Sequence, residues 1–260
     1  MWADEAIKIY RSIGDDQGLA YALARRGHVA FVAGDFPTAM DALSESLALC
    51  QKIGYEDGTA WPITLLAQAR RWSGDESPEI RDMLENGRRR FIAMGEVYGQ
   101  VHADMILATL YDESLECRLR HSEEMVRLGE RSDADSLIKS AAFHALAYPV
   151  WDAGDFDRAE GLNRVSARSA FETGATVNTG LTLLQAATFA GRRGQAERCA
   201  TLFGAGKTHF AMHLAPFQER TAQPAIDAAM EALGEDRYEE LHDQGAGMSV
   251  EEATDFLLNR

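Results

Sequence analysis

A short segment near position 205 carries the residue types of a phosphate-binding loop. Gly204, Gly206, Lys207 and Thr208 stand in the order Gly-X-Gly-Lys-Thr. Nucleotide-binding loops need one more glycine, four intervening residues before the Gly-Lys pair, and a strand that leads into the loop. Thr201 occupies the position of that glycine, and the residues before it have a helical pattern. The sequence therefore predicts a helix in this segment and no nucleotide site.

The histidines and cysteines are the other residues with catalytic or metal-binding chemistry. His209 and His213 stand four residues apart, which places them on one helix face. The glutamate that follows the first histidine in zinc proteases is missing, and zinc normally takes further ligands. Cys50, Cys117 and Cys199 are far apart, and Cys50 and Cys199 lie on apolar faces typical of buried thiols in a reducing cytosol. The sequence predicts no catalytic residue, metal or cofactor.

Aromatic, histidine and arginine side chains are a better basis for a functional site, because they recur on one face of several predicted helices. Tyr21, Ala24, His28 and Phe31 follow steps of three, four and three residues, and similar residues stand 40 and 120 positions later. Tyrosine, tryptophan and arginine are the side chains that most often anchor binding. The predicted binding surface comprises Tyr21, His28, Phe31, Trp61, Gln68, Arg71, Trp72, His144, Tyr148 and Trp151.

This stripe of side chains has two interpretations on the sequence alone. In the first, it lines the concave surface of a helical array, where Arg71 would meet an anionic group and the tryptophans would supply flat apolar area. In the second, the rings pack between neighbouring helices, which the position of Trp151 beside a corner favours.

The elements that position these side chains repeat at a fixed interval. Gly34-Asp35, Gly74-Asp75 and Gly154-Asp155 are separated by 40 and then by 80 residues. A further step of 40 reaches Gly194, and the missing member falls in the degenerate turn of residues 111–114. Repetition at such a period indicates an array of helical repeats. We expect helix pairs with corners near residues 34, 74, 114, 154 and 194.

Helical periodicity surrounds each predicted corner, and small residues recur where paired helices must approach closely. Gly27, Ala67, Ala147 and Ala187 occupy that position in successive units. A corner glycine adopts a left-handed backbone at low cost, and the aspartate after it can cap the next helix. Strand patterns are nearly absent. The sequence therefore predicts an all-α fold, a helical-repeat superhelix (α-solenoid) with a period near 40 residues and roughly fourteen helices.

The net negative charge of the chain argues against nucleic acid as a binding partner. The net charge is -15 over 260 residues, so a nucleic-acid phosphate backbone would be repelled. The basic run Arg88-Arg89-Arg90 is predicted to be a solvated helix face.

The sequence has no signal peptide and no apolar stretch near the roughly twenty residues that cross a bilayer. We expect a cytoplasmic protein that contacts neither nucleic acid nor membrane directly.

The repeat register also predicts the domain organisation. The array is expected to cover residues 1–212, and residues 213–260 to form C-terminal capping helices of the same domain. Ala3 to Gly14 align with Leu43 to Gly54 at a shift of 40 residues. They match the second helix of a repeat whose first helix is missing, so we expect the chain to be a fragment or a truncated relative of a longer protein.

Several segments resemble a known family. The unit from Leu23 to Leu47 looks like a tetratricopeptide repeat, although the usual period of that repeat is about 34 residues. Ser12–Ala20 is similar to the loops that join longer repeats of this type in large bacterial regulators. Ala196–Ala205, Ala232–Tyr238 and Gly245–Ala253 look like the segments that close those arrays. Over nearly its whole length, the chain resembles the tetratricopeptide C-terminal module of LuxR- or AfsR-like (STAND-type) bacterial transcriptional regulators.

This resemblance implies a non-enzymatic sensor or interaction module that binds a small effector, a protein or a peptide in its concave groove. In full-length members an NTPase domain and a helix-turn-helix or other output domain accompany the array, and they would be its partners in a longer parent chain. A free-standing tetratricopeptide scaffold for protein–protein interaction is one alternative. A helical-solenoid enzyme is another, against which stands the lack of a nucleophile–base or metal constellation in the sequence.

Overall fold

The structure is a computed structural model that describes residues 2–108, 114–131, 136–210, 214 and 216–259. Within these residues every regular element is helical, which confirms the all-α prediction for the described part of the chain. The helices fall into two compact units, unit 1 (Met1–Leu110) and unit 2 (Tyr111–Arg260).

Unit 1 is built from helices that pack against their neighbours along the chain. They are α1 (Trp2–Ile13), α2 (Asp16–Val32), α3 (Phe36–Lys52), a 3₁₀ turn (Asp57–Thr59), α4 (Ala60–Trp72), α5 (Glu79–Met94) and α6 (Val97–Leu107). Helix α4 also contacts both α2 and α6. The helices α2, α4 and α6 therefore lie side by side.

Left-handed glycines end helices α2 and α4 of unit 1. Gly34 and Gly74 have φ angles of +78° and +96°, and both stand where the sequence predicts corners. The Asp35 carboxylate caps α3 as expected. Asp75 instead accepts the backbone N–H of Ser77 at 2.8 Å, and α5 begins without a side-chain cap.

Close helix packing explains the small residue at position 27. A Cβ atom added to Gly27 would lie 2.5 Å from Cγ of Leu43 and 3.2 Å from the carbonyl oxygen of Ala39. Helices α2 and α3 therefore approach each other as closely as a missing side chain allows.

A second set of glycines lets aromatic rings cover the first turns of α2 and α6 and the 3₁₀ turn before α4. At each of them an added Cβ would overlap a ring. The pairs are Gly18 with Tyr10, Gly58 with Tyr55 and Gly99 with Phe91. These positions are glycine because the ring lies directly on the helix backbone.

Unit 2 contains the remaining helices. They are α7 (Leu115–Arg131), α8 (Ser136–Asp152), α9 (Phe156–Glu172), α10 (Thr176–Arg192), α11 (Ala196–Phe210), α12 (Pro216–Leu233), α13 (Glu235–Ala246) and α14 (Val250–Leu258). Gly154 and Gly194 have φ angles of +89° and +74° at two predicted corners, and the Asp155 carboxylate caps α9. Residues 111–113 of the predicted corner near 114 lie outside the described residues.

The C-terminal helices of unit 2 pack back onto α10 and α11. Helices α11 and α13 cross at Gly204 and Gly245, where a Cβ on either glycine would overlap a backbone oxygen of the other helix. A Cβ on Gly206 would in turn crowd Leu184. The Gly-X-Gly-Lys-Thr segment is therefore part of helix α11, as predicted, and its two glycines allow close helix packing.

The described residues contain neither a metal-binding cluster nor a membrane-spanning helix. They contain no group of three or more histidine, cysteine, aspartate or glutamate side chains placed to hold a metal ion. No helix in the described ranges is long and apolar enough to span a bilayer.

Candidate ligand-binding groove

A groove of about 880 Å³ runs along α2, α4 and α6 of unit 1. Its described walls include Tyr21 from α2, Trp61 from α4, Tyr98 from α6 and Tyr55, which precedes the 3₁₀ turn. Tyr21 is 68% exposed and Tyr98 is 44% exposed, whereas Trp61 is half-buried. A groove of this volume lies within the range of sites for small molecules, roughly 300–1,000 Å³.

Trp61 is at the centre of an aromatic cluster in the groove. Its ring centroid lies 5.0 Å from that of Phe91, and 5.6 Å from those of Tyr98 and His102. Tilted rings at these distances attract one another. Phe91 is completely buried, so it fixes Trp61 from the core side while part of the indole and much of Tyr98 remain open to the groove.

Two histidines face the groove and are neutral at pH 7. Burial lowers the pKa of His102 to about 4, with a smaller contribution from the charge of His28. Burial also lowers the pKa of His28, with the Arg25 guanidinium as the second cause. Nε2 of His102 donates to Oε1 of Gln68 at 2.9 Å, which leaves Nδ1 of the neutral ring as an acceptor.

The charged side chains of the described lining are three carboxylates and one arginine, Arg25. The Asp15 and Glu96 carboxylates accept backbone N–H groups at the starts of α2 and α6, at 2.9 and 2.5 Å. The positive ends of those helix dipoles offset part of their charge. The Asp57 carboxylate has no hydrogen-bond or ion-pair partner among the described residues. Asp57 is therefore the carboxylate with the most uncompensated charge in the described lining.

The hydroxyl and thiol groups in the groove are not activated as nucleophiles. Ser46 Oγ is buried and donates to the carbonyl oxygen of Ala20 at 2.7 Å. Burial raises the pKa of the Cys50 thiol, so this group is protonated at pH 7 and reacts poorly. The chemistry that the described lining favours is therefore stacking, hydrogen bonding and ion pairing.

The structure brings several of the predicted binding residues together in this groove. Tyr21, His28 and Trp61 line it. Gln68 is 5% exposed and lies behind the groove, where it fixes the His102 ring.

Phe31, Arg71 and Trp72 lie outside the described lining of the groove. Phe31 is 6% exposed and Arg71 is 5% exposed. The Phe31 ring meets Trp72 edge-on at 5.8 Å, and Nη1 of Arg71 lies 3.2 Å from a carboxylate oxygen of Glu76. Their burial favours a role in packing, and their contact with a ligand stays a prediction.

The remaining predicted residues belong to unit 2, where rings fill the space between α8 and α10. Trp151 is 6% exposed and stacks on Phe189 at 4.2 Å with an interplanar angle of 5°. Tyr148 meets the same Phe189 ring at 5.5 Å and the His144 ring at 6.2 Å. Burial lowers the pKa of His144 to about 4. These residues form a packed cluster within unit 2.

The sequence analysis did not predict four further ring-bearing residues of the groove, Tyr10, Tyr55, Tyr98 and His102.

A better register would have found His102. A step of 40 from Trp61 reaches residue 101 and misses His102 by one residue. Gly18, Gly58 and Gly99 are spaced by 40 and then by 41 residues. Tyr21, Trp61 and His102 each stand three residues after one of these glycines.

Comparison with known proteins does not identify a family. No protein-family model and no curated protein matches the sequence.

Proposed function

We propose that this chain is a non-enzymatic binding module whose ligand site is the groove of unit 1. The observation that carries the proposal is the aromatic lining. Tyr21, Trp61 and Tyr98 come from three helices that lie side by side, and they present their rings to one concavity of about 880 Å³. Concave, largely apolar surfaces with a few polar groups are where proteins most often bind small molecules.

We also propose that the helices form a tetratricopeptide-like array with a period near 40 residues. The left-handed glycines at positions 34, 74, 154 and 194 support this interpretation. The adjacency of α2, α4 and α6 also supports it, because alternate helices of such arrays line one surface. Solenoids typically bind ligands on their concave side.

A binding role agrees better with the groove than catalysis does. A general base works best with a pKa near the working pH, whereas burial lowers the pKa of His102 to about 4. The Ser46 hydroxyl is committed to a backbone carbonyl, and the Cys50 thiol is protonated. The helical-solenoid enzyme is therefore the less favoured candidate.

The resemblance to LuxR- and AfsR-like regulators leads us to propose a regulatory setting for this binding. The groove would sense an effector in the cytoplasm, and NTPase and output domains of a longer parent chain would respond to it. The second candidate is a free-standing scaffold for protein partners. Exposed apolar side chains on α1 favour it, since Trp2, Ile9 and Ile13 are 93%, 53% and 65% exposed.

Titration with Nile red, a neutral dye that fluoresces in apolar sites, tests the proposed groove. We expect saturable binding by the intact chain, and an affinity at least about tenfold weaker for Trp61→Ala, because central aromatic anchors are worth 2 kcal/mol or more. Trp2→Ala is the control, since it removes an exposed tryptophan outside the described lining. Equal binding by Trp61→Ala and the intact chain would contradict the groove. Loss of binding in Trp2→Ala alone would favour the scaffold.

A further inference from the structure

Resting on the proposed function of this groove, we propose that its ligand is a small organic cation: an amine or quaternary ammonium compound with an aromatic or alkyl group. The exposed aromatic rings, the charge of the lining and the volume of the groove each point to this class of ligand.

The exposed ring faces provide the first argument. Trp61, Tyr98 and Tyr21 all line the groove, and the two tyrosines keep 44% or more of their surface in solvent. The face of an aromatic ring is negative and attracts ammonium groups, tryptophan most strongly. Sites that recognise quaternary ammonium ligands use several such rings around one cation. An apolar group on the same ligand would stack on Trp61.

The charge of the lining provides the second argument. Three carboxylates and a single arginine are present in its described part, and the whole chain carries a net charge of -15. The Asp57 carboxylate has no partner among the described residues, so an ammonium group can bind it without breaking an existing ion pair. The negative field of the chain attracts cations and repels anions over longer distances.

The volume of the groove and its charged groups favour a small molecule. The volume of about 880 Å³ lies within the range of small-molecule sites. Asp15 and Glu96 already accept backbone N–H groups, which leaves Asp57 as the carboxylate of the described lining that is open to a cation. The groove therefore favours a ligand that has one charged group and otherwise offers ring or alkyl surface.

Three probes of similar size and different charge, and one peptide, test this assignment on the full chain. The small probes are 2-phenylethylamine, 2-phenylethanol and 3-phenylpropanoate, and the peptide is blocked Gly-Lys-Phe-Gly. Each of the four is titrated while the NMR signal of Trp61 is followed. We expect the amine to bind about tenfold more tightly than the alcohol, since the face of an aromatic ring attracts an ammonium group and not a neutral hydroxyl. The carboxylate should bind most weakly.

Two pairs of variants test whether the Asp57 carboxylate and the Tyr98 ring bind the amine. Asp57→Asn should weaken binding of the amine by about fivefold, the size expected for one ion pair at an exposed carboxylate. Glu56→Gln, the matched control at an exposed neighbour that pairs with Arg90, should leave the affinity unchanged. Tyr98→Leu should lower the affinity for the amine, whereas Tyr98→Phe should not, because phenylalanine keeps the aromatic ring.

The outcomes distinguish this inference from the proposed function. If the alcohol or the carboxylate binds at least as tightly as the amine and perturbs Trp61, the groove is a ligand site and the cation assignment is wrong. Tighter binding of the peptide than of the amine would also overturn the assignment, in favour of a protein partner. If neither Nile red nor any of the four probes perturbs Trp61, both the groove and the cation are wrong.

Discussion

Trp61 in unit 1 and Trp151 in unit 2 both belong to the same predicted stripe, yet they have opposite surroundings. Trp61 is half-buried and contributes to the wall of an open groove. Trp151 is 6% exposed and stacks flat on Phe189. Residues of one predicted stripe therefore have two kinds of surroundings, an open groove wall in unit 1 and a packed core in unit 2.

The ring neighbours of the two tryptophans account for part of this difference. Phe189 on α10 is 1% exposed and receives Tyr148 and Trp151 from α8. Trp61 meets Phe91, Tyr98 and His102 at interplanar angles between 36° and 62°, and Tyr98 is itself 44% exposed. A buried ring therefore covers one face of Trp151, whereas the neighbours of Trp61 leave part of its indole open to the groove.

The largest expected effect is the difference in stability between the alanine variants of the two tryptophans. Trp151→Ala should lower the free energy of unfolding by about 3–5 kcal/mol, because it removes a buried ring and leaves a cavity. Trp61→Ala should cost less than half as much, because its indole is partly in solvent already. Denaturant unfolding followed by circular dichroism measures both. Equal losses would mean that Trp61 is as much a core residue as Trp151.

Acid should weaken both units through their buried histidines. The pKa of His102 and that of His144 are each about 4 in the folded chain, against 6.5 in the unfolded chain. Above pH 6.5 both histidines are neutral in either state and the full stability is present. As the pH falls from 6.5 to about 4, the unfolded chain takes up the protons first, so stability is lost by at most about 3 kcal/mol per histidine.

Unfolding free energies measured between pH 7 and pH 4 check this linkage. His102→Gln and His144→Gln should each show a shallower fall with decreasing pH than the intact chain. Only His102 lines the groove, so a saturating cationic probe should lower its pKa further in an NMR titration and leave that of His144 unchanged. Unaltered pH profiles in both variants would contradict the assigned burial.

Larger side chains between closely packed helices should have a smaller effect on stability. Gly27→Leu and Ala147→Leu should each destabilise the chain by about 1–3 kcal/mol, because Gly27 faces Leu43 closely and Ala147 is completely buried. Gly161 on α9 is the matched control, since a Cβ there would meet nothing within 4 Å. Gly161→Leu should be neutral or stabilising by up to about 1 kcal/mol, because glycine disfavours helix. Unchanged melting temperatures for Gly27→Leu and Ala147→Leu would contradict the close helix packing at these two positions.

The smallest expected effect on stability is at the rim of the groove. Tyr21→Ala should change the free energy of unfolding by less than about 0.5 kcal/mol, as is usual for exposed side chains. The same variant should bind Nile red more weakly than the intact chain. A large loss of stability would show that Tyr21 packs more tightly than its 68% exposure indicates.

Local signals in the sequence were enough to predict the all-α class and many of the corners. Gly34 with Asp35, and the missing side chain at Gly27, act within one helix pair, so their residue types indicate their roles. Asp75 differs because it bonds Ser77 and does not cap α5. Trp151 could not be assigned from its own helix, because Phe189 stands 38 residues further on, on another helix. His102 was missed because a strict step of 40 residues reaches position 101, whereas Gly58 and Gly99 are 41 residues apart.

A single ¹⁹F NMR experiment tests the central contrast most directly. The chain has four tryptophans, Trp2, Trp61, Trp72 and Trp151, so 5-fluorotryptophan labelling gives four signals that single Trp→Phe variants assign. We predict that 2-phenylethylamine shifts the Trp61 signal saturably and leaves Trp151 unmoved, and that exchanging H₂O for D₂O shifts Trp61 but not Trp151. A Trp151 signal that responds to the solvent and the probe as strongly as Trp61, or a Trp61 signal that responds to neither, would contradict the account.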